Sequence, residues 1–105
     1  MAKIRLSRKA IADLDGIWDY TVETWSEDQA VIYYRQIYTA IQSLNGIPSF
    51  FEIAYDIIKP GLLAYKVGHH IIFYKKCKDG SISVDRILHE KMDYQRHVKE
   101  TFYTL

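Results

Sequence analysis

Two amphipathic stripes meeting at a single capping sequence leave this chain few ways to fold. From Ser7 onward, Ile11, Leu14, Trp18, Val22 and Trp25 recur at steps of three and four residues, the spacing that lines one face of an α-helix. Asp13, Asp15, Asp19 and Glu23 fall on the opposite face, and Ser7 offers the N-cap. Ser26-Glu27-Asp28-Gln29 then has the form of a capping box, in which the Ser hydroxyl meets the N3 amide and the Gln side chain returns to the Ser amide. A second stripe follows through Ala30, Tyr33, Ile37, Ile41 and Leu44, flanked by Tyr34 and Tyr38 and stopped by Gly46 and Pro48. So short a link predicts an antiparallel helix hairpin, which needs a further layer to cover its apolar face.

The rest of the chain supplies that layer. Lys3-Ile4-Arg5-Leu6-Ser7 alternates with period two, as a short half-buried strand does. After Lys59-Pro60-Gly61, Leu63-Tyr65-Val67 alternates again, Gly68 permits a tight turn, and Ile71-Ile72-Phe73-Tyr74 is apolar on both faces, as a central strand is. Lys78-Asp79-Gly80 is a hairpin turn signal, followed by a strand through Ile82 and Val84 to Leu88. The expected class is α+β: a short N-terminal strand, an antiparallel helix hairpin on one face of the sheet, a three-stranded antiparallel meander and a short C-terminal segment. The connection over residues 46–61 carries Ile47, Phe50, Phe51, Ile53, Tyr55, Ile57 and Ile58, too apolar for a solvated loop, so it packs on the core or awaits a partner. Residues 1–105 fit one domain, since a body of this size builds one core.

Composition narrows the function classes. No apolar run approaches the roughly 20 residues of a membrane span and Met1-Ala2-Lys3-Ile4-Arg5 lacks the apolar region of a signal peptide, so the expected compartment is the cytoplasm with no membrane partner. Cys77 stands alone, which excludes an internal disulfide and a Cys-x-x-Cys site. The net charge of +1 hides an asymmetry, with five basic and eight acidic residues in 1–58 against nine basic and five acidic in 59–105. That split suggests a partner-facing C-terminal half.

Motifs of the commoner enzymes are missing: no glycine-rich phosphate loop, no His-Glu-x-x-His, no Gly-x-Ser-x-Gly. His69 and His70, adjacent on an expected strand, point to opposite faces and suit no metal, and no cofactor is expected. Arg86 lies in phase with Ile82, Val84 and Leu88, so its guanidinium needs either a helix carboxylate or a C-terminal carbonyl within the fold, or a phosphate or acidic partner outside it. His89, with Glu90, Lys91, Asp93 and Tyr94 close by, is the best candidate for proton chemistry, either on an RNA 2′-OH or as a surface histidine with no such role.

Two groups of segments together resemble the ParE branch of the RelE/ParE toxins. The first is Ala12-Asp13-Leu14-Asp15-Gly16-Ile17-Trp18-Asp19-Tyr20. The second joins Ile58-Lys59-Pro60-Gly61-Leu62, Val67-Gly68-His69-His70-Ile71-Ile72-Phe73-Tyr74 and Arg86-Ile87-Leu88-His89-Glu90-Lys91-Met92-Asp93. The likeness runs over roughly residues 3 to 97, in the family's order.

The resemblance implies a type II toxin that inhibits DNA gyrase by binding, without catalysis, and that a cognate ParD-like antitoxin neutralises in a hetero-oligomer. It implies no sequence-specific contact with nucleic acid. The alternative is the RelE branch, ribosome-dependent mRNA endoribonucleases, for which Arg86, His89, Lys91 and Tyr94 are the catalytic candidates. Leu63 and His69 stand where arginine is frequent in the ParE branch, which opens a third reading, a toxin fold that binds its antitoxin with lost or weak target activity. Target-binding candidates are Arg86, His89, Lys91 and Arg96; antitoxin-binding candidates are Trp18, Trp25, Tyr34, Phe50 and Phe51.

Overall fold

The computed structural model describes residues 3–56, 58–92 and 94–103; Ile57 and Asp93 lie outside it, as do the side chains of Tyr94 and Gln95. Strand β1 (Ile4–Leu6) leads through Ser7 into α1 (Arg8–Thr24), and α2 (Glu27–Gln42) completes the hairpin. Two 3₁₀ turns, Leu44–Gly46 and Ser49–Phe51, precede β2 (Ile53–Ala54), then come β3 (Leu63–Val67), β4 (His70–Lys76), β5 (Ile82–His89) and α3 (Tyr94–Tyr103). The sheet order is β1-β5-β4-β3-β2, with β1 parallel to β5 and the other neighbours antiparallel. The α+β class and the meander are as the sequence predicts; the connection adds a two-residue edge strand to them.

Ser7 caps α1 by accepting from the Ala10 amide at 3.0 Å, and its hydroxyl donates to the Asp85 carbonyl at 2.7 Å, tying the helix start to β5. The buried stripe is Ala10, Leu14, Ile17 and Thr21, rotated by about one residue from the expected one. Ile11 is 47% and Trp25 71% exposed, while Trp18 is half-buried. Both stripes pass through Leu14 at helical spacing, and contact with the sheet selects the one with the small Ala10, which lets the helix sit close. Thr21 is tolerated there because its hydroxyl donates to the Ile17 carbonyl at 2.7 Å. Asp13 is not on a solvated face but turned toward β5.

Ser26 caps α2 through the Gln29 amide at 3.0 Å, but the Ser26 amide donates to the Thr21 carbonyl, so the reciprocal half of the capping box gives way to the inter-helix turn. The stripe of α2 is as expected, with Ala30, Ile37, Ile41 and Leu44 buried and Tyr33 half-buried.

Side chains pack on both faces of the sheet. Under the hairpin, Ala10, Leu14, Ile17, Ile37, Ile41 and Leu44 meet Ile72, Tyr74, Ile82, Val84 and Ile87. Across the sheet, Ile58, Leu62, Ala64, Phe73, Leu88 and Val98 form a second cluster that α3 covers. Burying one such aliphatic side chain contributes about 1.5–3 kcal/mol. On β5 the expected phase breaks at Asp85: Phe73 pairs Arg86 but Tyr74 pairs Val84, so Asp85 is the extra residue of a bulge. Consequently Ile87, not Leu88, shares the hairpin-side core with Ile82 and Val84, and Arg86 is out of the phase the sequence suggested.

Candidate functional site

At the end of the sheet where β5 finishes, the C-terminal half of α1, the start of α2 and the β3–β4 turn enclose a groove. It has two continuous parts of about 470 and 460 Å³ that share Tyr20, His70 and His89. Trp25, Tyr33, His69 and Lys91 line the first part, and Asp13, Ile87 and Met92 the second.

Tyr33 organises the groove. Its hydroxyl accepts from the His69 amide at 3.0 Å and shares a hydrogen bond with His70 Nδ1 at 2.5 Å, pinning α2 to the turn between β3 and β4. Burial raises the Tyr33 pKa above its ordinary value, so the phenol keeps its proton. The turn approaches so closely that a Cβ on Gly68 would lie 2.6 Å from the Tyr33 ring, and Gly68 also has φ +57°, so glycine is required there twice over.

Three histidines gather beside Tyr33. His69 stacks on His89 with centroids 6.2 Å apart and planes at 17°, and His70 meets His89 edge-on at 5.1 Å. Burial, then the neighbouring His89 and His69, lower the His70 pKa from 6.5 to about 4, so it is neutral at pH 7. His69 is in the turn, not on a strand, so strand alternation does not separate it from His70. Each ring already uses Nδ1: His69 faces Glu90 at 3.2 Å, His70 is bonded to the Tyr33 hydroxyl, and His89 accepts from the Lys91 amide at 3.1 Å. Glu90 also meets Lys66 at 2.7 Å, and hydrogen bonds from Lys66 and His69 hold its carboxyl down to about 2.

Of the four residues expected to face a target, His89 and Lys91 line this groove. Arg86 does not: its Nε and Nη2 grip Asp13 at 2.8 and 2.9 Å, and its Nη1 donates to the Thr101 hydroxyl at 3.2 Å. Asp13 accepts from the Ile87 amide as well, at 2.9 Å. Hydrogen bonding to Asp13 raises the Arg86 pKa further above its already high value. Arg96 sits on α3, paired with Glu100 at 3.1 Å, and lines neither part of the groove. The Tyr94 side chain lies outside the described residues.

Among the aromatic candidates, Trp25 borders the groove, Trp18 packs edge-on against Tyr34 at 5.9 Å on the outer hairpin, and Phe50 and Phe51 pair at 4.4 Å beside β2. Phe50 is 79% exposed. Tyr33 and Tyr20 also line the groove, though no local pattern marks them as site residues: Tyr33 stands on the apolar stripe of α2, opposite a glycine turn, and Tyr20 lies on neither stripe.

The family description "ParE toxin of type II toxin-antitoxin system, parDE" matches residues 4–94. The chain belongs to the ParE toxin family. Among its ParE relatives, Toxin ParE1 of Mycobacterium tuberculosis (strain ATCC 25618 / H37Rv) is 39% identical over 93 residues, covering 89% of this chain and 94% of the relative. Toxin ParE1 of Caulobacter vibrioides is 31% identical over 98 residues, covering 93% and 99%. A solved chain described as the chromosomal ParDE TA system from P. aeruginosa has a similar fold, with a TM-score of 0.68 at 22% identity, covering 85% of this chain and 96% of that one. The family match spans β1 through the start of α3, so both the hairpin-side core and the histidine groove lie within it.

Proposed function

We propose that this chain arrests growth by binding DNA gyrase, without catalysis of its own, and that a cognate ParD-like antitoxin silences it in the cytoplasm. The commitment of Arg86 carries the choice between binding and RNA cleavage. An endoribonuclease needs cations aimed at the developing charge on a phosphate. Here both edges of the Arg86 guanidinium are held by Asp13 and Thr101, and His70 is neutral and fixed to Tyr33. What the groove offers instead is aromatic surface, Trp25 and Tyr20, beside His89 and Lys91, a composition suited to a protein surface. The antitoxin reading draws on the ParE family, on the solved relative described as a ParDE system, and on the exposed Phe50–Phe51 pair and Trp18–Tyr34 seam.

Paired assays separate the readings. Purified chain is expected to inhibit gyrase supercoiling and to leave ribosome-programmed mRNA uncut. Cut mRNA with supercoiling untouched establishes the RelE-like alternative. Silence in both assays, with antitoxin still bound, leaves a toxin fold without its target, the outcome that Leu63 and His69 in place of arginines would explain.

A further inference from the structure

The charges of this chain sort by the ends of the sheet rather than by sequence halves. Lys3 and Arg5 of the β1 segment lie beside the start of β5, where the Ile82 amide donates to the Lys3 carbonyl at 2.8 Å and Ile82 pairs Lys76 of β4. Lys78 is in the adjoining β4–β5 turn, and Arg5 reaches that turn through the Ser81 hydroxyl at 3.0 Å. Arg8 and Lys9 open α1, whose cap is anchored at Val84 and Asp85, about 7 Å further along β5. Six cations thus collect at one end, against the carboxylates of Glu52, which pairs Lys76, of Asp79, which is turned onto Ser81 and interacts electrostatically with Arg5, and of Asp85, which pairs Lys75. Among the described residues no carboxylate comes within salt-bridge distance of Lys3, Arg5, Arg8, Lys9 or Lys78. The exposed carboxylates Asp15, Asp19 and Glu23 on α1 and Glu27 and Asp28 at the start of α2 lie toward the histidine end, where Lys66 and Lys91 are the neighbouring cations, so a net charge of +1 conceals an uneven distribution.

We propose that this cationic end is a contact surface for the phosphate backbone of duplex DNA, without sequence preference. A protein partner would need apolar or aromatic anchors between the charges. Among the described residues, none of the large exposed hydrophobics falls in 3–9 or 75–82, and those next to the patch, Ile11 on α1 and Phe51 and Ile53 on either side of Glu52, lie at its margins rather than between the cations. A phosphate backbone needs only the cations: a duplex carries one negative charge per about 1.7 Å of axis, so a face about 10 Å wide across three strands meets several phosphates at once. Lying at the opposite end from the histidine groove, the surface leaves the groove open while DNA is bound. Direct binding in the absence of any other protein tests it independently of the gyrase reading.

Fluorescence anisotropy of the full chain with a labelled duplex of about 20 base pairs, with polyglutamate of equal charge as comparison, reads the contact. With about four phosphates neutralised, affinity falls about 150-fold between about 50 and 200 mM salt. Lys9→Gln with Lys78→Gln weakens binding about tenfold and lowers the salt slope by about 1.8, whereas Arg35→Gln with Lys99→Gln, two exposed cations elsewhere, leaves both unchanged. No binding at about 50 mM salt, equal losses in the two double variants with their circular dichroism intact, or polyglutamate binding as tight as DNA overturns the proposal.

Discussion

Replacing Asp13 by Asn tests whether the Arg86 contact is a structural device rather than a reserve of charge for a partner. The two side chains are 15% and 14% exposed, so the pair is mostly, though not wholly, withdrawn from water. Asp13 accepts from Arg86 twice and from the Ile87 amide once, and Asn cannot accept from all three while its own NH₂ faces donors. Stranding a fully buried charge costs about 3–5 kcal/mol; residual solvent reduces that here to about 2–4 kcal/mol. A chain of this size has an unfolding entropy near 0.22 kcal/mol/K, so the melting temperature should fall by about 9–18 °C. Thermal unfolding followed by circular dichroism measures it, and Arg86→Gln combined with Asp13→Asn should recover part of the loss. A fall of less than about 2 °C, or strict additivity of the two substitutions, would show that the pair holds nothing together.

His70 makes stability depend on pH with a definite sign. Its folded pKa, about 4, lies below the unfolded 6.5, so the unfolded chain binds the extra proton and stability declines as pH falls from about 6.5 toward 4. The bound from the shift is about 3 kcal/mol, lowered to about 1–2 kcal/mol by solvent around a partly enclosed ring; denaturant midpoints for His70→Gln should lack this component, and an identical pH profile refutes it. Gly68→Ala should cost about 2–3 kcal/mol, since the Tyr33 ring it meets is pinned by hydrogen bonds, but only about 1 kcal/mol in a Tyr33→Leu background where backbone strain alone remains. An equal cost in both backgrounds, read by denaturant titration, counts against the close approach. Phe50→Ser with Phe51→Ser should weaken antitoxin binding at least about tenfold in calorimetry while the melting temperature moves by no more than about 2 °C; unchanged affinity removes that patch from the interface.

Much of the fold was readable because each element carries a local signature. Ser7 and Ser26 marked the two helix starts, Gly68 and Gly80 the two turns, and the apolar run around Ile72 the central strand. Where local pattern left two solutions, tertiary contact chose between them. Ile11-Leu14-Trp18 and Ala10-Leu14-Ile17 have the same helical spacing, and only the sheet surface decides which is buried. A bulge leaves no mark in a residue pattern, so the displacement of Arg86 and Leu88 at Asp85 could not be read from alternation. For the short C-terminal segment, Met92, Gln95, Val98 and Phe102 allow a helix but are too sparse to require one, because one fully buried residue, Val98, and one flanking ring, Phe102, suffice to seat α3.

The site was legible in parts. His89 and Lys91, close in sequence, line one groove, and the need of Arg86 for a counter-ion is visible in the sequence although Asp13, 73 residues away, is not marked there as the partner. Tyr33 joins His70 across 37 residues, and no local pattern announces such a contact. Arg96 stands apart for the same reason: proximity in sequence to His89 does not survive the change of direction into α3.

The most direct test of the central claim titrates the purified chain into DNA gyrase with relaxed plasmid and ATP, scoring both supercoiled and linear products, with and without cognate antitoxin. Binding inhibition of gyrase predicts that supercoils are lost and linear DNA accumulates as the chain is added, and that equimolar antitoxin restores supercoiling. Undiminished supercoiling with no linear DNA, from folded chain that still binds the antitoxin, would contradict it.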